Sequence, residues 1–108
     1  PPLRADPSLT RLARAHSHAM ASQRFVGHRG PSGPASIGLA RRLRGAGVPF
    51  HRGLENVAAA GSVWDAHVGL SGTPSHRVNR LDPDIRRAGI GVVQHEGVWF
   101  VTEELVAP

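Results

Sequence analysis

The spacing of apolar residues changes once along the chain, near Arg87, and that change limits the fold more than any other feature. Before it, apart from one short extended segment near Glu55, apolar positions recur every three or four residues, as one face of a helix requires; after it they alternate, as a half-buried strand requires. Asp6-Pro7-Ser8 opens the first helix, with Asp6 placed to cap it and Pro7 suited to its first turn. Leu9, Leu12, His16, Ala19, Met20 and Gln23 then carry the apolar stripe, and the helix is expected to run to about Ser22. Glycines and prolines between Gly27 and Pro34 mark a loop. Ser36 starts a second helix with Ile37, Ala40 and Leu43 on one stripe, stopped by Gly45-Ala46-Gly47, and its Arg41, Arg42 and Arg44 read as a solvated face. A short extended segment passes through Glu55-Asn56-Val57. Ser62 caps a third helix carrying Val63, Ala66 and Leu70, which stops at Gly72. Thr73-Pro74-Ser75-His76 begins one more helical turn, ending near Leu81. Ala88 to Val93 forms the first arm of a terminal hairpin, His95-Glu96-Gly97 its turn, and Val98 to Thr102 its return. Helices first and a hairpin last predict an α+β layered domain, in one unit of 108 residues with no repeat or linker.

Composition narrows the function classes. The chain has no cysteine, so disulfides and thiolate metal sites are excluded. Thirteen basic residues, all arginine, stand against eight acidic ones, for a formal charge of +5. That balance raises nucleic acid as a partner, but the arginines are scattered and only two Trp and three Phe accompany them, too few for a stacking platform; nucleic-acid binding is not expected. No apolar run approaches the roughly 20 residues of a membrane span, so the chain is not expected to be transmembrane. Its opening, Pro1-Pro2-Leu3-Arg4, reads as a mature or excised domain.

Histidine is the unusual count, seven in 108 residues. No phosphate-cradling loop, nucleophile elbow or His-Glu-x-x-His helix accompanies them. His28 and His76 each stand at a loop or helix start, where an imidazole can point into a cleft. Glu55 lies in an otherwise apolar extended segment, where a carboxylate needs a partner. Together the three form a candidate divalent-metal set, zinc above all, with one position left for water. Blander readings stand beside it: His16 as a packed histidine with a hydrogen-bonded ring nitrogen, His18, His67 and His95 as surface residues, and Glu55 paired with Arg52 or His51.

Five short motifs, in order, resemble the CAP superfamily of cysteine-rich secretory, antigen five and pathogenesis-related proteins in its compact bacterial form. Ala15-His16-Ser17-His18-Ala19-Met20-Ala21 is similar to the pattern A-x-H-S-x-x-M-A, and Phe25-Val26-Gly27-His28 to F-x-x-H. Leu54-Glu55-Asn56-Val57-Ala58 resembles G-E-N-I-A, and Thr73-Pro74-Ser75-His76-Arg77-Val78-Asn79-Arg80-Leu81 resembles S-P-G-H-R-x-N-I-L. Ala88-Gly89-Ile90-Gly91-Val92, followed by Trp99-Phe100-Val101-Thr102, is similar to the closing hairpin. The resemblance implies an α-β-α sandwich with a three-stranded antiparallel sheet between helices. It also implies a cleft in which His28, Glu55 and His76 match three of four residues that bind zinc or another divalent cation in several members. The fourth, acidic, has no match: Ser71, Gly72 and Thr73 stand where it is expected. His51, Asn56 and Thr73 would line the cleft. The implied protein is a secreted or envelope-associated monomer holding a small lipid-like, peptide or glycan ligand; the alternative is a metal-dependent hydrolase acting through metal-activated water, with Glu55 or a histidine as base.

Overall fold

The computed structural model describes residues 3–72 and 83–108. Its elements run β1 (Arg4–Ala5), α1 (Pro7–Gln23), a 3-10 turn (Gly33–Ser36), α2 (Leu39–Gly45), β2 (Arg52–Ala60), α3 (Val63–Gly72), β3 (Arg87–His95) and β4 (Val98–Ala107). The expected short helical turn after Thr73 lies outside the described residues. No helix among the described residues is long and apolar enough to cross a membrane.

The sheet has four strands rather than three, in the order β1-β3-β4-β2, and is partly parallel. β4 pairs antiparallel with β2 and with β3, as the hairpin reading requires. The added strand is β1, which pairs parallel with the start of β3. Arg4 N–H donates to the Arg86 carbonyl and Asp6 N–H to that of Ala88. Asp6 then serves two elements: one carboxylate oxygen accepts from Ser8 N at 2.8 Å and Leu9 N at 3.3 Å to cap α1, and the other accepts from Arg87 at 2.9 Å.

Helices cover both faces. On one face α1 crosses β3 and β4, and α2 places Leu39 and Leu43 over Gly53 of β2. On the other, Ala66 and Leu70 of α3 pack on Val101, Ala58 and Val92. The close seat of α1 depends on Gly89 and Gly91, since a methyl group at either would collide with the α1 backbone at Leu9–Thr10 or Ala13–Arg14. A buried polar tie holds the same contact. Ser17 Oγ donates to the Gly91 carbonyl at 2.9 Å, so its lone pair accepts from Thr102 Oγ1 at 2.7 Å.

Two boundaries differ from the sequence reading. The Ser36 hydroxyl closes the 3-10 turn onto the Gly33 carbonyl at 2.7 Å instead of capping a helix, Ile37 is extended, and α2 begins only at Leu39. β4 continues past Thr102 to Ala107, buried at every position from Phe100 on. A central strand covered by helices on both faces loses the alternation that would have revealed its length.

Candidate functional site

Partner residues across an antiparallel pair project from the same face, so the register Glu55↔Glu104 sets two carboxyl groups side by side under α1 and α2. Both are buried. Arg42 reaches down from α2 and grips Glu55 with two nitrogens, Nη1 to Oε2 at 2.8 Å and Nη2 to Oε1 at 2.9 Å. The same guanidinium donates to the Ile37 and His28 carbonyls, at 3.0 and 2.9 Å, which anchors the loop carrying His28. Glu55 Oε1 also accepts from His28 Nδ1 at 2.9 Å. His16, buried on α1, donates from Nε2 to the Gly27 carbonyl at 2.7 Å and lies 3.8 Å from Glu55 Oε1. Its ring meets Phe25 edge-on, centroids 5.8 Å apart.

The charge states follow from these contacts. Burial pushes Glu55 up, but hydrogen bonds from Glu104 and Arg42, the Arg42 charge and a smaller pull from His16 outweigh it and bring Glu55 down to about 2. Burial, then the hydrogen bond and negative charge of Glu55, raise Glu104 far above the ordinary carboxylate range against the opposing pull of Arg42. Neither Glu104 oxygen accepts a hydrogen bond, and Arg42 Nη1 stays 3.5 Å away. An ionised Glu104 would be a buried anion with only the distant Arg42 beside it, whereas a protonated one could donate toward Glu55, the direction in which burial and Glu55 push it. Burial lowers His16, and the Arg42 and His28 charges lower it further, against Glu55 and the Gly27 carbonyl, which raise it. Within this cluster the closest match of opposite charges is Glu55 with Arg42. His28 is the member that reaches solvent, its side chain 57% exposed.

Of the residues expected in the cleft, the fold brings His28 and Glu55 together. His76 and Thr73 lie outside the described residues. Asn56, the neighbour of Glu55 along β2, projects from the opposite face and donates to Glu103 at 3.1 Å. His51 is exposed at the sheet edge, beside Arg52, Asp84 and Arg86 in a separate depression. Glu55 pairs with neither Arg52 nor His51; its cation is Arg42, and His16 is the packed, hydrogen-bonded histidine the helical stripe suggested. Arg42 had a legible signal, because it falls between Leu39 and Leu43 on the buried side of α2. Glu104 had one too, had the hairpin return been carried to its full length.

The described donors do not fit a divalent ion. Both Glu55 oxygens are occupied by Arg42 and His28, a guanidinium stands where a cation would approach, and the second carboxyl, Glu104, is pushed by burial and by Glu55 toward holding a proton. No group of three His, Asp or Glu among the described residues is placed to hold a metal.

Next to this cluster, α1, the 3-10 turn and α2 enclose a groove of about 390 Å³. Leu12, Ala15, Ala19, Pro34, Ala35 and Ile37 give it apolar walls; His16 and Arg42 form its polar end, and the exposed Arg41 stands at its rim.

The family model for the cysteine-rich secretory protein family, CAP, matches residues 1–105. The chain belongs to this family. As a CAP domain it is 25% identical over 99 residues to the uncharacterized protein YkwD of Bacillus subtilis, covering 91% of this chain and 37% of that protein. It superimposes on an extracellular protein containing an SCP domain from Bacillus anthracis with a TM-score of 0.80 and 28% identity, over all of this chain and 34% of the other. An outer surface protein of Borrelia burgdorferi shares the fold at a TM-score of 0.83 and 14% identity, over 96% of this chain and 76% of that one. The CAP domain described here thus spans about a third of the length of its Bacillus relatives.

Proposed function

We propose that this CAP domain acts outside the cytoplasm as a binding module for an amphipathic small ligand, an apolar chain with an acidic head, seated in the groove between α1 and α2. The observation that carries the reading is the meeting of apolar walls from Leu12, Ala15 and Ile37 with a cationic rim at Arg41, in a space within the size range of small-molecule sites. Such walls suit a hydrocarbon chain better than a glycan, whose hydroxyls would be left without partners. An extracytoplasmic setting is supported by the relatives, which are described as extracellular and outer-surface proteins.

Binding is favoured over hydrolysis by the charge state of the cluster. A carboxylate lowered to about 2 and held by a guanidinium has little affinity for a proton, so Glu55 is a poor general base at neutral pH.

Calorimetric titration with dodecanoate tests the proposal. One saturable equivalent is expected, lost in Ala15→Trp, which fills the groove from an exposed helix position, and weakened about two- to fivefold in Arg41→Ala, the scale of one exposed charge pair. Absence of saturable binding, or equal binding by Ala15→Trp, overturns it.

A further inference from the structure

A second groove, of about 410 Å³, lies at the other end of α1, between the turn that leaves the helix and the tip of the β3–β4 hairpin. Its floor is apolar, made by Phe25, Val98 and Phe100 with Val26, which is 56% exposed. Its rim carries charge of both signs: Arg24 from the helix end and Glu96 from the hairpin turn.

These two rim residues share a second property. Arg24, with φ 56°, and Glu96, with φ 50°, are the only non-glycine residues with positive φ among those described. L-residues with a Cβ pay to enter this region, and glycine or asparagine is the usual occupant both at a helix C-terminus and in a two-residue hairpin turn. Gly33, Gly47 and Gly97 take the other left-handed positions among the described residues. At the two positions that face one groove, the chain instead keeps long charged side chains of opposite sign. Arg24 is exposed, and its guanidinium makes no hydrogen bond or ion pair among the described residues. Glu96 is solvated, with His95 Nε2 3.7 Å from its carboxylate. Strained backbone retained at one concave site points from conformation to ligand contact.

We propose that this groove binds a short apolar peptide with free termini, its carboxylate on Arg24, its ammonium group on Glu96 and an apolar side chain against Phe25 and Phe100. A guanidinium takes a carboxylate through two parallel hydrogen bonds, and a carboxylate across the groove suits an ammonium group. A fatty acid would satisfy Arg24 but leave Glu96 facing its apolar chain. The site uses none of the residues that enclose the α1–α2 groove, so it stands or falls separately from the function proposed above.

The test is an amide chemical-shift titration of the folded protein with the dipeptide Leu-Phe, its N-acetyl and C-amide forms, and dodecanoate as a competitor. Saturable shifts are expected at Arg24, Phe25, Val26, Glu96 and Gly97. Acetylation and amidation should each weaken binding about two- to fivefold, and Glu96→Gly should add nothing to acetylation, nor Arg24→Gly to amidation. Both glycine variants should raise the thermal midpoint while weakening Leu-Phe, because they relax the backbone and remove the contact. Ala15→Trp should leave Leu-Phe binding unchanged. Absence of saturation at millimolar peptide, equal affinity in both glycine variants, a lowered midpoint in either, or displacement of the peptide by dodecanoate would each overturn the proposal.

Discussion

Glu104 is the residue whose state decides what the buried cluster is. Two adjacent carboxylates with one guanidinium would leave an unmatched anion inside the domain; a proton on Glu104 leaves a neutral set. The two glutamates therefore act on stability in opposite directions. Glu55, lowered from 4.5 to about 2, contributes stability that is present above 4.5 and lost as pH falls toward 2. Glu104, raised in the fold, contributes stability that is complete below 4.5 and lost as pH rises above it, because the unfolded chain releases a proton that the native state retains. Glu104→Gln keeps the shape and a donor toward Glu55 but has no proton to lose. Urea unfolding from about pH 5 to about 9 should show wild-type stability falling relative to Glu104→Gln, by no more than about 1.4 kcal/mol per pH unit. Parallel profiles for the two proteins would mean that Glu104 is ionised in the native state.

The elements were legible to different depths. α1 and α3 announced themselves through caps and a 3.6-residue stripe, and the β3–β4 turn through Glu96-Gly97 between alternating arms. β1 did not, since two residues have no period and its pairing is set by Arg86 and Ala88, more than 80 positions away. The site was half legible for the same reason. Glu55 and His28 stood out as residue types in context, whereas the partners that fix their chemistry, Arg42 and Glu104, come from a short helix read as solvated and from strand residues beyond the expected end of the hairpin. Glycine in β3 carried a meaning that alternation alone hides: Gly89 and Gly91 lie on the face that α1 presses against. Gly91→Ala should cost about 1–3 kcal/mol or more, because the added methyl meets helix backbone that has no rotamer to change. Gly61→Ala, with open space around it, should stay within about 0.5 kcal/mol. Urea denaturation of the pair checks this; equal midpoints would show that α1 can lift from the sheet at little cost.

Across the whole molecule, the sheet separates two kinds of interior. The α1–α2 face holds the ionic cluster and both grooves, while the α3 face holds Asn56 with Glu103 and two small apolar clusters around Ala66–Leu70 and Ile85–Leu105. Because β4 is central and its side chains alternate between these faces, each face can lose packing without re-aiming residues of the other. Stability and binding should then come apart. Leu70→Ala removes a buried side chain of the α3 face and should cost about 2–5 kcal/mol, yet at temperatures where the variant is still folded its affinities for dodecanoate and Leu-Phe should equal those of the wild type. Ala15→Trp should do the reverse, abolishing dodecanoate binding with little change in the unfolding midpoint. Paired calorimetric and denaturation measurements on the two variants decide the matter. A loss of either affinity in folded Leu70→Ala would show that the sheet transmits packing changes from α3 to the opposite face.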